Sequence, residues 1–401
     1  MKKSLILYLA LFIAFLDWMG IGLVYPIFST MIFHPDYSIL DPLVSEMSRG
    51  WYLGVLLASM SVAEFFSSPI LGSLSDQKGR RPILVVSILL GSIGYLFCVG
   101  AVLIKSFALL ITARCLVGIG AGNAAVVSAT IADLSDESNK TKRFGLYSMA
   151  CGVGFTIGPF LGGVFGRTNF ALPFSLAGVV TFISFVLVYF FFKETHHKRK
   201  SAKISWNEGI RNLKKAFKIQ ELKLLFLLLF LFCFGWSFFY EFIPVSWISN
   251  FKLDSKQIGF FYAYGSAVYA LSAGVLIRPI VNRFKQHNIL FFSLLFMGLG
   301  IIAITFNHSS YLVWVYIPIV NFLAALMFPT LMSLVSGRAS DDSQGEVLGI
   351  YLSIQAVSFA IAPLAGAILL GAGPFMSTLV GGLSILLGSF ALGRFLKKER
   401  V

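Results

Sequence analysis

GSLSDQKGRRP, residues Gly72 to Pro82, separates an apolar run that begins at Gly50 from a second one that begins at Ile83. The segment holds an acid, two glycines and three cations. A short segment of that chemistry, clamped between runs long enough to cross a bilayer, has few uses in a soluble protein. Composition points the same way: 57% of residues are hydrophobic and 12% charged, and mean hydropathy is +0.83. A soluble globular chain of that make-up would expose too much apolar surface to water.

Outward from this segment, the charge-free stretches set the architecture. A hydrocarbon core about 30 Å thick takes roughly 20 apolar residues per helix. The runs Ile83 to Ile104, Phe144 to Gly166 and Thr168 to Phe192 each meet that length. Asn288 to Gly337 and Val347 to Gly393 contain no Asp, Glu, Lys or Arg. Each is long enough for two crossings, with turns at Asn307 to Ser310 and Gly371 to Pro374. The sequence therefore predicts about twelve helices, near residues 5–30, 50–74, 83–104, 107–134, 144–166, 173–192, 224–249, 257–279, 288–306, 311–336, 347–370 and 375–393. Lipid satisfies no free backbone group and these runs are too long for barrel strands, so the fold class is all-α.

A net charge of +14 raises the question of nucleic acid, and the positions of the cations answer it. With both termini inside, Lys78, Arg80, Arg81, Lys140, Lys142, Arg143, the Lys193 to Lys223 cluster, Arg278, Arg283, Arg338 and Arg394 all fall on the cytoplasmic side. Arg49, Lys105, Arg167, Lys252 and Lys256 remain outside. This is the positive-inside bias, so the basicity orients the chain and implies no nucleic acid. Cys98, Cys115, Cys151 and Cys233 are scattered through predicted helices without metal spacing, as small core residues are. The first apolar run lacks a small-residue cleavage site and reads as a retained helix.

The polar stretch Lys193 to Lys223 divides the chain into an N-terminal bundle at 1–192 and a C-terminal bundle at 224–401, with a linker at 193–223. Within the linker Trp206, Ile210, Leu213 and Phe217 recur at helical spacing among Arg211, Lys214, Lys215 and Lys218. That pattern suits an amphipathic helix on an anionic leaflet, or else a solvated basic linker. The halves echo one another at an offset of roughly two hundred residues, as in repeat-built transporters. Arg278 to Phe284 is a degraded counterpart of the Gly72 segment, with Asn282 where Asp76 stands. Gly158 to Gly162 is echoed by Ala362 to Gly366.

Four segments together carry a family resemblance. They are Gly72 to Pro82; Asp17 to Pro26 in the first helix; Arg114 with Gly118, Gly120, Gly122 and Asp133 in the fourth; and Gly154 to Gly163, GFTIGPFLGG, in the fifth. The chain resembles the major facilitator superfamily, its twelve-helix drug/proton antiporter branch, and among these the tetracycline/proton antiporters. That resemblance implies two pseudo-symmetric six-helix bundles, alternating access and proton-coupled efflux of amphipathic small molecules. It also implies a multi-pass monomer of the bacterial inner membrane that needs no cofactor beyond the proton gradient. By the same resemblance Gly72, Asp76, Gly79, Arg80, Arg81 and Asp133 form a gate whose ion pairs alternate between conformations. Gly154, Gly158, Pro159, Gly162 and Gly163 form the antiporter motif, which plain tight helix packing also explains. Gly94, the stretch around Gly298, and Tyr269 stand where the tetracycline exporters carry two acids and a histidine.

An acid deep in lipid needs a partner, a wet cavity or a proton. Asp17 lies about twelve residues into the first helix, near the midplane at roughly 1.5 Å per residue. Glu64 is similarly deep in the second helix, and Glu241 lies three residues before Pro244 in the seventh. These three are the candidates for proton or substrate coupling, the alternative being structural carboxyls. Arg114 is a permanent cation and requires an acidic partner, for which Asp17 and Glu64 are the candidates. Tyr25, Asn123, Trp236, Tyr240, Tyr262, Tyr269, Asn321 and Gln355 are candidates to line a cavity for the cargo, or else to pack. No catalytic constellation is present: all five histidines fall in loops or at helix ends, and no P-loop exists to use ATP. The expected activity is gradient-driven transport. The alternatives are a carrier of a native metabolite, such as a siderophore or nutrient, and a transporter-like receptor or scaffold.

Overall fold

The computed structural model describes residues 3–34, 40–135, 140–196, 208–216, 218–219, 222–338 and 344–398. Among these, every regular element is a helix, and twelve helices are long and apolar enough to cross a membrane. They are α1 (Lys3–Phe33), α2 (Glu46–Lys78), α3 (Arg80–Leu103), the pair α4 (Phe107–Ala121) and α5 (Asn123–Leu134), α6 (Lys140–Gly166), α7 (Ala171–Phe191), α9 (Lys223–Phe251), α10 (Ser255–Leu271), α12 (Gln286–Thr305), α13 (Ser310–Gly337), α14 (Gln344–Leu370) and α15 (Met376–Lys398). Between α7 and α9 lies the short α8 (Glu208–Ala216), which carries Ile210, Leu213, Arg211, Lys214 and Lys215 of the amphipathic pattern. Trp206 and Phe217 fall outside the described residues.

The connection expected between the predicted helices at 50–74 and 83–104 is almost absent. α2 runs on to Lys78 and α3 starts at Arg80, leaving Gly79 alone between them. Two local bonds extend α2: Ser75 Oγ donates to the Gly72 carbonyl at 2.7 Å, and the Asp76 carboxylate meets Arg80 four residues on. The chain then turns in one step because Gly79 takes φ +102°, a backbone region that side chains strongly disfavour. The eighth span also departs from a plain helix. A π-helical turn at Ser272–Leu276 follows α10 and precedes α11 (Ile277–Arg283).

Contacts group the chain into two compact units. One comprises Met1–Met31, Ser59–Glu208 and Asp254–Ala267; the other comprises Ile32–Ala58, Gly209–Leu253 and Val268–Val401. Backbone-to-backbone packing at glycine explains the borrowed segments. In the first unit a methyl on Gly163 of α6 would lie 2.8 Å from the Gly259 Cα of α10, and Ser255 Oγ donates to the Gly163 carbonyl at 3.3 Å. In the second, a methyl on Gly54 of α2 would lie 2.6 Å from the Pro363 carbonyl of α14. Apolar burial adds nothing between helices already in hydrocarbon, so such close contact supplies the van der Waals attraction that holds spans together. The second unit is filled by fully buried aromatics, Phe232, Phe238, Phe239 and Phe242 among them.

Candidate functional site

The charged residues around Gly79 form one connected cluster in the first unit. Arg80 is buried. Its Nη1 reaches Asp76 Oδ1 at 2.6 Å and Ser75 Oγ at 2.6 Å, while Nε reaches Asp133 Oδ2 at 2.9 Å. One guanidinium thus joins the end of α2 to the end of α5. Arg81 turns away, donating from Nη2 to the Tyr189 carbonyl of α7 at 2.6 Å. A residue absent from the sequence reading completes the cluster. Glu194, just past α7, accepts the backbone N–H groups of Arg80 at 2.8 Å and Arg81 at 3.1 Å, capping the first turn of α3.

The same carboxylate accepts from the Thr195 and His196 backbone N–H groups at 3.0 and 2.9 Å. Partial burial pushes the Glu194 carboxyl up, but these four backbone donors outweigh it and hold the group below the usual carboxylate range. A methyl on Gly79 would push the Glu194 carboxylate aside, so a side chain there would disturb this cap in addition to the strain imposed by φ. His196 adds a weaker link, its Nδ1 lying 3.8 Å from Asp133 Oδ2. The segment after the sixth span therefore straps the start of α3.

Deeper in the same unit the structure gathers Asp17, Asn123, Glu64 and Arg114. The Asn123 amide donates to Asp17 Oδ2 at 3.0 Å. Asn123 opens α5 directly after the break at Gly122, where a methyl would lie 3.0 Å from the Ser68 backbone nitrogen of α2. Arg114 on α4 is 2% exposed, with its guanidinium carbon 4.7 Å from the centre of the Phe28 ring of α1. Among the described residues, Arg114 Nε and Nη1 have no hydrogen-bond partner, Asp17 and Glu64 included. Its charge nonetheless acts on Glu64 and on Tyr95 of α3, and Tyr95 is also within reach of the charge on Asp17. Fields thus link Arg114 to Glu64 and to Tyr95, and Tyr95 to Asp17, while a cation–π contact seats Arg114 on Phe28; no closed ion pair joins them among the described residues. Phe28 and Tyr95 are the two members that the sequence reading missed.

An aromatic chain borders these residues. The Tyr25 ring packs edge-on to Phe155 of α6 at 5.6 Å and to Tyr262 of α10 at 6.3 Å. The antiporter motif lies behind it. Methyls on Gly154 and Gly162 would collide with the Phe15 and Leu23 carbonyls of α1, and one on Gly158 would lie 2.5 Å from the Met19 carbonyl. Pro159 meets α1 at Gly22, where a methyl would lie 2.7 Å from the proline Cδ. The glycine face of α6 is thus flush with the helix that carries Asp17.

The second unit holds the remaining candidates. Glu241 is 7% exposed in α9. Trp236 and Tyr240 stack one turn apart with ring centres 5.6 Å apart. Tyr269 and Gln355 are half-buried. Asn321 returns its amide to the Ile317 carbonyl of its own helix at 2.9 Å.

The full-length match to known proteins fits this arrangement. The sequence matches the Major Facilitator Superfamily over residues 7–363. The chain belongs to that superfamily. This member is 29% identical over 370 residues to the class D tetracycline resistance protein of Salmonella ordonez, covering 89% of this chain and 87% of that protein. It is 27% identical over 372 residues to the class E tetracycline resistance protein of Escherichia coli, covering 91% and 87%. Multidrug resistance protein 1 of Bacillus subtilis (strain 168) is 25% identical over 374 residues, covering 92% and 90%.

Among solved structures, the human organic anion transporter MFSD10 (TETRAN) superposes with TM-score 0.74 at 21% identity, over 98% of this chain and 100% of that one. A D-xylose-proton symporter superposes with TM-score 0.76 at 14% identity, over 97% and 96%. These two structures speak for the fold alone, an all-α architecture with twelve helices long and apolar enough to cross a membrane.

Proposed function

We propose that this facilitator is a proton-coupled exporter of amphipathic small molecules that works by alternating access. Asp17 and Glu64 carry the proton, with Arg114 as the fixed charge that senses whether they are ionised. The observation that carries the reading is the Asp17, Asn123, Glu64 and Arg114 cluster, set in the same compact unit as the Arg80 charge cluster. A buried guanidinium with open donors acts on the membrane-depth Glu64, in the unit that also holds Asp17, and makes protonation costly or favourable according to what else faces Arg114. The Arg80 pairs to Asp76 and Asp133 supply the gate. Arg80 is buried, so removing one acid leaves charge uncompensated there, and the pairs must exchange rather than simply break.

In this reading the sequence halves 1–192 and 224–401 are duplicated bundles joined by the 193–223 linker. Both termini face the cytoplasm of a bacterial inner membrane, and the protein acts as a monomer without nucleic acid. Moving one proton charge through about 100 mV supplies roughly 2.3 kcal/mol, enough to bias the cycle. The resistance proteins that it resembles make tetracyclines and other flat amphipathic drugs the first cargo to try. The test is uptake into proteoliposomes under an imposed pH gradient. The reading requires drug movement that follows the gradient and is lost in Asp17→Asn or Glu64→Gln.

A second reading, a native metabolite as cargo, draws on two close contacts. A side chain at Gly94 would lie 2.8 Å from the Val117 nitrogen, and one at Gly298 would lie 2.9 Å from the Gly382 carbonyl. Neither place has room for the acid that the tetracycline exporters carry there, which under this second reading sets the cargo chemistry apart from theirs. Transport of one polar metabolite and of no drug in the same assay would favour it.

A further inference from the structure

The first unit carries a groove of about 580 Å³ lined by Arg81, Pro82, Val85 and Val86 of α3 and by Tyr189 and Phe190 of α7. Its lining changes character along its length. Arg81 lies in the first turn of α3, and Tyr189 and Phe190 fall in the last turn of α7, so the charged mouth lies at the end of two membrane-crossing helices, at headgroup depth. Val86 is 63% exposed and Phe190 68% exposed, and both occur within spans. The apolar part of the groove therefore faces acyl chains rather than water.

The charges at this corner are not equivalent. Arg80 is matched by Asp76 and Asp133. The four backbone N–H groups engage Glu194. Among the described residues, Arg81 instead meets the neutral Tyr189 carbonyl, through Nη2. That bond uses one of five guanidinium donors and fixes the plane of the group. The others remain for an acceptor, and Lys78 and Lys193 beside it are exposed cations as well.

We propose that this groove is a binding site for an anionic glycerophospholipid. Arg81 takes the headgroup phosphate through its free fork, while one acyl chain lies along Val85, Val86 and Phe190. A guanidinium suits phosphate because its parallel donors match two phosphate oxygens. Basic pockets between membrane helices are where anionic headgroups bind selectively. The apolar wall argues for a lipid rather than free phosphate, which would contact Arg81 alone. The site stands next to Arg80 in sequence, so a bound headgroup adds negative charge one residue from the gate's central cation. Neither the cargo nor the direction of transport enters the proposal.

Native mass spectrometry of the full chain, released from micelles supplied with phosphatidylglycerol or phosphatidylcholine, tests it. The wild type is expected to retain phosphatidylglycerol in preference to phosphatidylcholine. Arg81→Gln should weaken phosphatidylglycerol retention about tenfold and leave phosphatidylcholine unchanged, while Arg81→Lys should recover part of the loss. Val86→Trp, which fills the groove and keeps the charge, should also lower retention. Lys105→Gln, at the opposite end of α3, should have no effect. Equal retention of the two lipids by the wild type would overturn the proposal, as would phosphatidylglycerol retention indifferent to both Arg81→Gln and Val86→Trp. Displacement of the lipid by millimolar inorganic phosphate would overturn the lipid in favour of a simple anion site. Should Arg81→Gln fail to fold, Val86→Trp decides alone.

Discussion

Replacing Glu194 with Gln removes a charge that four backbone N–H groups share, two of them at the start of α3. The amide keeps one acceptor oxygen but turns an NH2 toward donors that had faced the other oxygen. In the native geometry Oε2 receives the Arg81 N–H, so at least one bond is lost, worth about 1 kcal/mol net. Losing a negative charge at a helix N-terminus costs a further ~0.3–1 kcal/mol. The strap from Glu194 to α3 should thus weaken by about 1.5–2 kcal/mol, or roughly ten- to thirtyfold in its opening equilibrium. Hydrogen exchange followed by mass spectrometry reads this directly. Peptides covering Arg80, Arg81 and residues 194–196 should exchange faster by that factor, while peptides from the middle of α3 should not change. Unaltered exchange at Arg80 and Arg81 would refute the claim that this carboxylate caps the helix.

Further consequences concern packing, the outer loop and pH. Gly162→Val should cost at least ~1–3 kcal/mol, because its side chain meets the Leu23 backbone carbonyl rather than a movable group. Gly145→Ala in the same helix has open space and should leave thermal unfolding unchanged or slightly improved. Arg49→Ala should speed proteolysis ahead of α2, since Arg49 ties the carbonyls of Val44 at 3.1 Å, Ile32 at 2.5 Å and Asp41 at 2.8 Å. Acid should loosen the Glu194 strap. Its folded carboxyl titrates below the ordinary value, so its stabilisation is complete above about pH 4.3 and is lost as pH falls through the folded value. Protection at Arg80, taken relative to the intrinsic exchange rate, should fall only as pH drops below the ordinary carboxylate value, and Glu194→Gln should abolish that dependence.

The spans were legible because lipid imposes one rule on every segment, and the sequence expectation of 107–134 for the fourth crossing coincides with α4 and α5. The charge cluster was legible in part. The spacing of Asp76, Gly79 and Arg80 is local, and helix geometry alone brings Asp76 and Arg80 together. Glu194 was not legible, since it reaches Arg80 across 114 positions and resembles any charge that follows an apolar run. Phe28 and Tyr95 were hidden for a different reason. In a chain with 41 Phe and 14 Tyr, nothing local marks the ones that face Arg114. The short connection between α2 and α3 goes with the Asp76–Arg80 ion pair and the one-residue turn at Gly79, neither of which hydropathy registers.

The most direct test of the account is proton release on cargo binding. Purified protein in weakly buffered detergent, with a pH indicator, is mixed with whichever compound the proteoliposome assay shows to move. The wild type should release protons as the cargo binds. Asp17→Asn with Glu64→Gln should bind and release none. Equal release from that double variant, or cargo binding by the wild type with no release at all, would contradict the assignment of the proton to these carboxyls.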